Sequence, residues 1–347
     1  MVCGFAGYRG ASMMRCELAV SFAGPLVSYQ DRGRPGLARY GVPGSGGMDT
    51  RALKVANAAL GNDLSACGVE VSLGGLQVDC VAGAVSFAVA GGGFQVVLGG
   101  VTLGPWTVAT LRQGQRLSIR GGAWGSWAML ALAGNVVGKE WLGSMATHAQ
   151  SGFGAGMIAT GARIIVENPE VRDGRAADLA LPGWAMPTGR IRVVMGPQER
   201  FFDAAVLQRF LGEGFRLSAA YDRMGVRLKG PELLVNSALD MPSEPVLRGS
   251  VQVAGDGVAT VLLADHQTTG GYPKIATVIG PDLDALVQKR SGDALGFTAI
   301  SGEEAVLAAR QAAAELRDYL AIVSAPRGSL AERLMRANLI SGVFGEG

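Results

Sequence analysis

The chain has 347 residues, of which 48% are hydrophobic, and a formal net charge of +2. This length suits two domains or one large domain with a substantial core. Because the chain has no Lys/Arg tract and only 6% aromatic residues, its composition argues against a nucleic acid as main partner. No apolar run reaches the roughly 18–20 residues of a membrane helix, so we expect a cytoplasmic protein with no membrane partner.

The cysteines and histidines favour neither disulfides nor a metal centre. None of the four cysteines shows C-x-x-C spacing, and without an export signal we expect reduced thiols. The only histidines, His148 and His266, are 118 residues apart, and neither has metal-ligand spacing around it. We therefore predict no metal site, and we expect His148 to be a hydrogen-bonded loop residue.

Residues 1–14 precede the first predicted strand. They show no helical or strand period, and they lack the ordered regions of a signal peptide. We predict an extra N-terminal tail.

A polar, glycine-rich segment at residues 30–49, the first loop, follows that strand. Arg34 offers a planar fork suited to a carboxylate or a phosphate, and Asp31 is either a base or the residue that orients Arg34. Ser45 lies on flexible backbone that can approach a ligand closely. Asp49 is either a catalytic carboxylate or the N-cap of the next helix.

Short β-like runs broken by glycine dominate the body and predict barrels or sandwiches. The predicted strands are residues 18–22, 69–73, 76–80, 85–90, 95–98, 126–131, 164–167, 191–195, 251–254, 260–263 and 275–279. The predicted helices are residues 50–60, 198–211, 282–289 and 303–323. Two prolines and two glycines within residues 181–189 predict a domain boundary.

Three charged residues outside the loops are candidates for the site. Glu70 lies in an apolar strand, so it is expected either to pair with an arginine or to have a raised pKa. Arg223 and Arg227 are four residues apart, which is compatible with an anion clamp or with ordinary surface charge.

The sequence DHQTTGGYPK at residues 265–274, the second loop, follows a predicted buried strand. It combines two hydroxyls, a side-chain amide, a phenol, a cation and a Gly-Gly pair. Glycines tolerate positive φ, and consecutive N–H groups in such turns form anion-binding concavities. The alternative is a turn whose hydroxyls bond to their own backbone.

Other catalytic motifs do not fit. The chain has no G-x-x-x-x-G-K-[ST] sequence, so it carries no P-loop for ATP. GFGAG at residues 152–156 precedes a predicted turn and strand rather than a helix, which argues against a dinucleotide fold. No G-x-S-x-G elbow supports a Ser-His-Asp triad.

Several ordered motifs carry a family resemblance. They are QDRGRPG at residues 30–36, GVPGSGGMD at 41–49 and QTTGGYP at 267–273, with further matches at 218–227, 243–244, 250–252 and 338–343. From about residue 17 to about residue 300 the chain resembles the 5-oxoprolinase C subunit, whose family is also called biotin-dependent carboxyltransferase, allophanate hydrolase subunit 2 or KipA-like. It departs from the family pattern at Met145, where an Arg is common, and at Pro245 and Arg248.

The resemblance implies a mainly β fold with peripheral helices, built as two cyclophilin-like β-barrel domains with a C-terminal helical extension. The implied ranges are residues 15–185 and 186–300 for the barrels and 301–347 for the extension. We expect the helices after residue 300 to pack outside the second barrel or against a partner. The two loops are expected to share one cleft.

The resemblance and the residue chemistry together give the predicted site. The predicted catalytic residues are Asp31, Arg34, Asp49, Gln267 and Lys274. The predicted substrate-binding residues are Gln30, Ser45, Met48, Glu70, Arg223, Arg227, Gln252, Thr268, Thr269, Gly270, Gly271 and Tyr272.

Three functions stay open at this point. The first is a subunit of an ATP-dependent 5-oxoprolinase-type amide or lactam hydrolase, inactive without its partners. Those partners would be a subunit-B (allophanate hydrolase subunit 1/KipI-like) protein and a subunit-A (LamB/YcsF-like) protein. The complex would use ATP with Mg, and no cofactor would be covalently bound. The second is the carboxyltransferase component of a biotin-dependent urea or amide carboxylase. The third is a non-catalytic KipA-like regulator that binds a KipI-like protein.

Overall fold

The computed structural model of the chain describes residues 14–235, 241–326 and 328. Residues 1–13 of the predicted tail and the motif at 338–343 lie outside the described residues, as does Cys3. The other cysteines, Cys16, Cys67 and Cys80, are free thiols. No helix in the described ranges is long and apolar enough to cross a membrane.

Short strands dominate the described residues, with helices at the periphery, which confirms the predicted fold class. The α-helices are α1 Thr50–Leu60, α2 Ala204–Gly212, α3 Gly280–Val287 and α4 Gly302–Ser324. The strands are β1 Arg15–Ala23, β2 Ser28–Gln30, β3 Gly68–Ser72, β4 Leu76–Ala82, β5 Ala84–Leu98, β6 Val101–Leu103, β7 Thr107–Arg112, β8 Arg116–Leu132, β9 Asn135–Val136, β10 Arg163–Glu167, β11 Ala177–Asp178, β12 Arg190–Met195, β13 Phe215–Tyr221, β14 Gly225–Lys229, β15 Glu244–Pro245, β16 Ser250–Val253, β17 Ala259–Leu262, β18 Thr269–Gly270, β19 Lys274–Val278 and β20 Ala294–Ala299.

Strands β1–β11 form one N-terminal sheet. Its main path is β11-β7-β5-β8-β4-β1-β10-β9, and β2, β3 and β6 join it from the side. The longest strands, β5 and β8, pair along most of their lengths, with register shifts on either side of Gly93. At Gly91 (φ 119°) an added Cβ would lie 2.6 Å from the Trp127 carbonyl oxygen, so only glycine fits this bend. The two strands predicted at 85–90 and 95–98 are therefore one bent strand.

Seven strands of the C-terminal half close into a barrel. The order is β12-β19-β16-β17-β14-β13-β20, and the parallel pairing of β12 with β20 completes the closure. The alternation of buried and exposed residues along β12 and β14 points one face of each strand into the barrel core. A separate two-stranded sheet, β15 with β18, lies beside the barrel.

Helix α1 has the boundaries that its sequence predicts. The Asp49 side chain accepts a hydrogen bond from the Ala52 N–H, 2.8 Å away, and Gly61 (φ 77°) ends the helix in the left-handed region. The predicted N-cap is thus confirmed. The helix predicted at 198–211 starts later, since residues 199–201 form a 3₁₀ turn before α2.

Helix α4 packs mainly against the N-terminal half, and it also contacts α3 and β12 on the outside of the second barrel, so the expected packing is met only in part. Its residues Leu316, Tyr319, Leu320 and Val323 join the core of the N-terminal sheet. The Tyr319 ring makes edge contacts with Trp106 and Trp184. The apolar stripe at the end of α4 fits the aromatic surface beside α1, which secures the helix there.

The two halves meet through an interface rich in buried polar groups. Its core also mixes the halves, since Met48 and Trp127 of the N-terminal half join the apolar core of the barrel. The Trp127 indole N–H donates to the Tyr221 hydroxyl, and the Gln288 side chain bonds to the main chain of Ser126 and Trp127. This interface brings the first loop close to the barrel.

Candidate functional site

A buried group of three charged residues joins the two halves. The Arg223 guanidinium donates to both oxygens of Asp265, at 2.9 and 3.0 Å, and to Glu70 on β3. It also donates to the Gly46 carbonyl oxygen, 2.7 Å away. All three charged side chains are almost completely buried. Every nitrogen of this guanidinium therefore has a partner, and each carboxylate lies next to a cation.

The charges in this group are maintained by their mutual contacts. Burial acts to lower the pKa of Arg223, but the two carboxylates raise it by more, so the pKa lies above its ordinary value. Burial raises the pKa of the Glu70 carboxyl, whereas Arg223 and the Met48 N–H, which donates at 2.5 Å, favour its ionised form. With two donors on it we assign Glu70 as a carboxylate. The predicted pairing of Glu70 with an arginine is confirmed.

Asp265 also fixes the loop that contains His148. Its side chain accepts from the Ala149 N–H at 3.0 Å. The Nδ1 atom of His148 accepts from the Ser151 N–H, so the ring proton lies on Nε2 and is donated to the Asp265 carbonyl oxygen, 3.2 Å away. His148 is thus a hydrogen-bonded loop residue, as predicted.

Asp31 and Arg34 of the first loop bind the segment 141–146 rather than each other. Asp31 accepts from the Gly33 N–H, the Ser144 hydroxyl and the Met145 N–H, at 2.6–2.8 Å. Arg34 donates to three main-chain carbonyl oxygens of that segment. Asp31 and Arg34 make no direct hydrogen bond, so an orienting effect of Asp31 on Arg34 acts through this shared segment. One nitrogen of Arg34, Nη1, is buried without a hydrogen-bond partner.

The first loop folds tightly on itself at two glycines. An added Cβ at Gly33 (φ 75°) would lie 2.5 Å from the Gly44 carbonyl oxygen, and Gly46 (φ 87°) is similarly confined. Between them Ser45 takes φ 52°, an uncommon conformation for a residue with a side chain. Its hydroxyl is buried and has no hydrogen-bond partner. The close packing of the glycines therefore fixes the position of this hydroxyl.

Three predicted site residues of the N-terminal half are enclosed by the protein. Met48 is fully buried in the barrel core, so its predicted contact with a substrate is wrong. Gln30 is fully buried, with its amide donating to Ser28 and to the Thr147 carbonyl oxygen. The Asp49 side chain accepts hydrogen bonds from the Ala52 N–H and from the Gln288 amide, which is 2.7 Å away. Burial, and secondly the nearby Asp284, raise the pKa of Asp49 to about 7.

The second loop borders a groove on the barrel, the second-loop groove, with a volume of about 630 Å³. Four predicted site residues line it: Arg227, Gln252, Gln267 and Tyr272. The Gln267 amide donates to the Gln252 side-chain oxygen, 3.1 Å away, so the two amides are held together.

The Gly-Gly pair of this loop does not take the positive φ that its sequence allows. Neither Gly270 nor Gly271 has a positive φ. An added Cβ at Gly270 would lie 2.5 Å from the Gln252 amide nitrogen, so glycine here makes room for a neighbouring side chain. The residues Thr269 and Gly270 form β18, and the Thr268 carbonyl oxygen accepts from the Val246 N–H. Their predicted substrate-binding roles stay predictions.

Lys274 is buried at the start of β19. Its ammonium nitrogen lies 3.7 Å from the Glu244 carboxylate, whose side chain is 38% exposed, and it makes no hydrogen bond. The Gln198 side chain spans the pair, since its amide donates to Glu244 and its oxygen accepts from the Lys274 N–H. The lysine side chain is therefore held inside the protein next to one carboxylate.

Arg223 and Arg227 do not form a clamp together. Arg223 faces the interface, whereas Arg227 is on the exposed face of β14 and pairs with Asp256 at 2.6 Å. The alternative of a joint anion clamp is wrong, because Arg223 is buried and paired with Glu70 and Asp265, whereas Arg227 is exposed and paired with Asp256.

The first loop borders a second space, the first-loop cavity, with a volume of about 430 Å³. Its lining is Asp31, Arg32, Ser45, Gly46, Gly47, Thr50, Leu53, Lys54, Leu64, Ser65 and Arg248. None of these residues lines the second-loop groove. The two loops are nevertheless linked, first by Arg223, which donates to Gly46 and to Asp265. They are also linked by residues 244–248, which pair with β18 at one end and bond to Gly47 and Met48 through Arg248 at the other.

Sequence reasoning missed three groups that the structure brings to these sites. Arg248 lines the first-loop cavity, Glu244 pairs with Lys274, and Asp265 anchors Arg223. Asp265 and Glu244 lie within or beside the motifs that carry the family resemblance, so that signal was present. Arg248 departs from the family pattern, and a departure gives no signal for a site.

The chain is similar to proteins of one known family. A family model described as carboxyltransferase domain, subdomain A and B, matches residues 40–299. The chain belongs to this family. The resemblance predicted from the sequence motifs is thereby confirmed, and the matched range includes part of the first loop and all of the second.

One relative in this family matches most of this chain. It is the 5-oxoprolinase C subunit of Escherichia coli (strain K12), which is 33% identical over 297 residues, or 85% of this chain and 94% of that protein. The match therefore extends over both halves of the fold described above.

Two solved structures of longer chains have the same fold as this member of the carboxyltransferase-domain family. The structure of TTHA0988 is 30% identical with a TM-score of 0.72, and the match covers 82% of this chain and 55% of that chain. The urea carboxylase of Kluyveromyces lactis is 23% identical with a TM-score of 0.79, over 89% of this chain and 30% of that chain. This chain thus spans about half of the first structure and about a third of the second.

Proposed function

We propose that this protein is the C subunit of a 5-oxoprolinase, an ATP-dependent hydrolase that opens a cyclic amide. The observation that carries the proposal is the match to the Escherichia coli C subunit, which reaches 94% of that protein's length. A match of this extent spans both halves of the fold, so it bears on the site as well as the fold.

The geometry suits a small polar substrate of this class. The first-loop cavity, at about 430 Å³, is at the lower end of the size range of small-molecule sites. It is lined by Arg32, Lys54 and Arg248 but by a single carboxylate, Asp31, whose oxygens already accept three hydrogen bonds. An anionic lactam such as 5-oxoproline matches this balance of charge.

ATP and partner subunits form the finer part of the proposal. The chain has no P-loop sequence, so we assign phosphate chemistry to a complex with subunit-B and subunit-A proteins. Gln267 and Lys274 keep their proposed catalytic roles in that complex. A buried ammonium is suited to stabilise a carboxylate or a phosphate that forms during turnover.

The test is ATP hydrolysis by the reconstituted complex. The three subunits are purified together, and phosphate release is measured with and without 5-oxoproline. We expect release that depends on 5-oxoproline and that is lost when this chain is left out. ATP hydrolysis unaffected by 5-oxoproline would refute the proposal.

The same material separates the two alternatives. Carboxylation of urea or another amide that requires biotinylated carrier protein and bicarbonate would identify a carboxyltransferase. A stable complex with the subunit-B protein that turns over no amide under any of these conditions would identify a regulator.

A further inference from the structure

The first-loop cavity contains a cation, Arg248, that has no ion-pair partner among the described residues. Arg248 donates to the carbonyl oxygens of Gly47, at 3.1 Å, and of Met48. Its Nε atom is buried without a hydrogen-bond partner. Burying an unpaired cation costs free energy, which an anionic ligand would offset.

A second polar atom in the same cavity is also without a partner. The Ser45 hydroxyl is buried and makes no hydrogen bond, although Ser45 lines the cavity in a strained left-handed conformation. Strain of this kind persists where the surrounding structure determines it, and it is concentrated at ligand sites. Two unpartnered donors in one cavity thus point to a ligand that offers acceptors to both.

We propose that Arg248 and Ser45 together bind the carboxylate of the substrate in the first-loop cavity. This inference rests on the proposed function. One N–H and one hydroxyl match the two oxygens of a carboxylate. The flanking cations Arg32 and Lys54 attract an anion without fixing its orientation, since both side chains are exposed. Arg248 is therefore the residue that selects a lactam bearing a carboxylate over one that lacks it.

The experiment measures binding to the purified chain by titration calorimetry. The first two probes are 5-oxoproline and 2-pyrrolidinone, which has the same lactam ring without the carboxylate. The third probe is acetate, which has the carboxylate without the ring. We expect 2-pyrrolidinone to bind at least about 10-fold more weakly. Arg248→Met should weaken 5-oxoproline binding by about 10- to 100-fold and leave 2-pyrrolidinone binding unchanged.

Two further variants keep the test independent of folding defects. Ser45→Gly removes the hydroxyl and suits the positive φ, so we expect a folded protein with about 3- to 10-fold weaker 5-oxoproline binding. Arg310→Met removes an exposed cation from α4, and we expect wild-type binding. Circular dichroism and thermal unfolding of each variant show that the fold is intact.

Each outcome separates this inference from the proposed function. Equal affinity of wild type and Arg248→Met for 5-oxoproline, or no wild-type binding of 5-oxoproline or acetate, overturns the inference. If Arg248→Met weakens binding of the subunit-B protein but not binding of 5-oxoproline, Arg248 pairs with a carboxylate of the partner protein. In that case the inference also fails. The last outcome is that ATP hydrolysis by the complex does not depend on 5-oxoproline, while Arg248→Met abolishes acetate binding. The proposed function then fails, and the carboxylate site stands.

Discussion

Arg223 and Arg248 both connect the C-terminal barrel to the first loop, yet their charges are used differently. Arg223 has a partner on every nitrogen, including two buried carboxylates. Arg248 bonds to two main-chain carbonyl oxygens, and one of its nitrogens has no partner among the described residues. A buried arginine that is fully paired is part of the fold, whereas one without an ion-pair partner is suited to bind an anion. The comparison predicts different losses when each cation is removed.

The largest effect is expected for Arg223→Met. This change leaves Glu70 and Asp265 buried without a cation, so we expect the free energy of unfolding to fall by about 3–5 kcal/mol. Urea denaturation followed by tryptophan fluorescence measures it. The matched control is Arg227→Met, which breaks an exposed ion pair with Asp256 and should cost less than about 1 kcal/mol. Equal losses in the two variants would contradict a structural role for Arg223.

Lys274→Met extends the comparison to a buried cation with an incomplete set of partners. The ammonium has one partly exposed carboxylate at 3.7 Å and no hydrogen bond, so its removal should change stability little. We expect turnover by the complex to fall by about 100-fold or more, equivalent to about 2.7 kcal/mol of transition-state stabilisation. Lys274→Arg should recover little, because a planar guanidinium does not replace a compact ammonium.

Steady-state rates at saturating substrate and ATP test this expectation. Subunit-B binding and thermal unfolding serve as controls and should match the wild type. Near-normal rates for Lys274→Met would remove the residue from the mechanism and leave Gln267 as the candidate of the second loop.

The sequence predicted those parts of the fold that depend on local signals. Helix α1 has the predicted limits because Asp49 and Gly61 cap it, and strands such as β1, β3 and β12 were predicted from their apolar residues. The strands β7, β13, β14 and β20 were missed, although β14 alternates buried and exposed residues. The short strands β15 and β18 were missed, since two residues carry no period. The placement of α4 on the N-terminal half depends on Tyr319 meeting Trp106 and Trp184, which are distant in sequence.

The sequence predicted which loops form the candidate site, but not how their side chains pair with one another. The sequence identified both loops from their composition, and it identified Glu70 from a carboxylate in an apolar strand. It did not show that Arg223 takes Glu70 as its partner, because the pairing joins residues 153 apart. It also did not show that Asp31 and Arg34 both bind the segment 141–146, which is more than 100 residues away in sequence.

Asp49→Asn tests a buried carboxylate whose direct partner is an amide rather than a cation. Burial raises its pKa to about 7, above its ordinary value of 3.8, so the folded state holds the proton more tightly than the unfolded state. This contribution to stability is fully present below about pH 4 and is lost as the pH rises through about 7. We expect the stability of the wild type relative to Asp49→Asn to fall by more than about 1 kcal/mol across that window, the free energy of one pKa unit.

Denaturation of both proteins at pH 4, 6 and 8 provides the measurement. Because the other titrating groups are common to both proteins, the difference isolates Asp49. A difference that is constant with pH would show that folding does not raise the pKa of Asp49.

The smallest effect is expected for Tyr319→Phe, which changes an uncharged contact between α4 and the N-terminal half. The Tyr319 hydroxyl donates to the Ala180 carbonyl oxygen at 2.6 Å, near the surface, while the ring packs on Trp106 and Trp184. Removing the hydroxyl leaves a carbonyl that water can reach, so we expect a loss of about 0.5–1 kcal/mol in the free energy of unfolding. Tyr319→Ala should cost more, since it also removes the aromatic contacts. Equal losses would mean that the hydrogen bond, and not the ring, holds α4 against the N-terminal half.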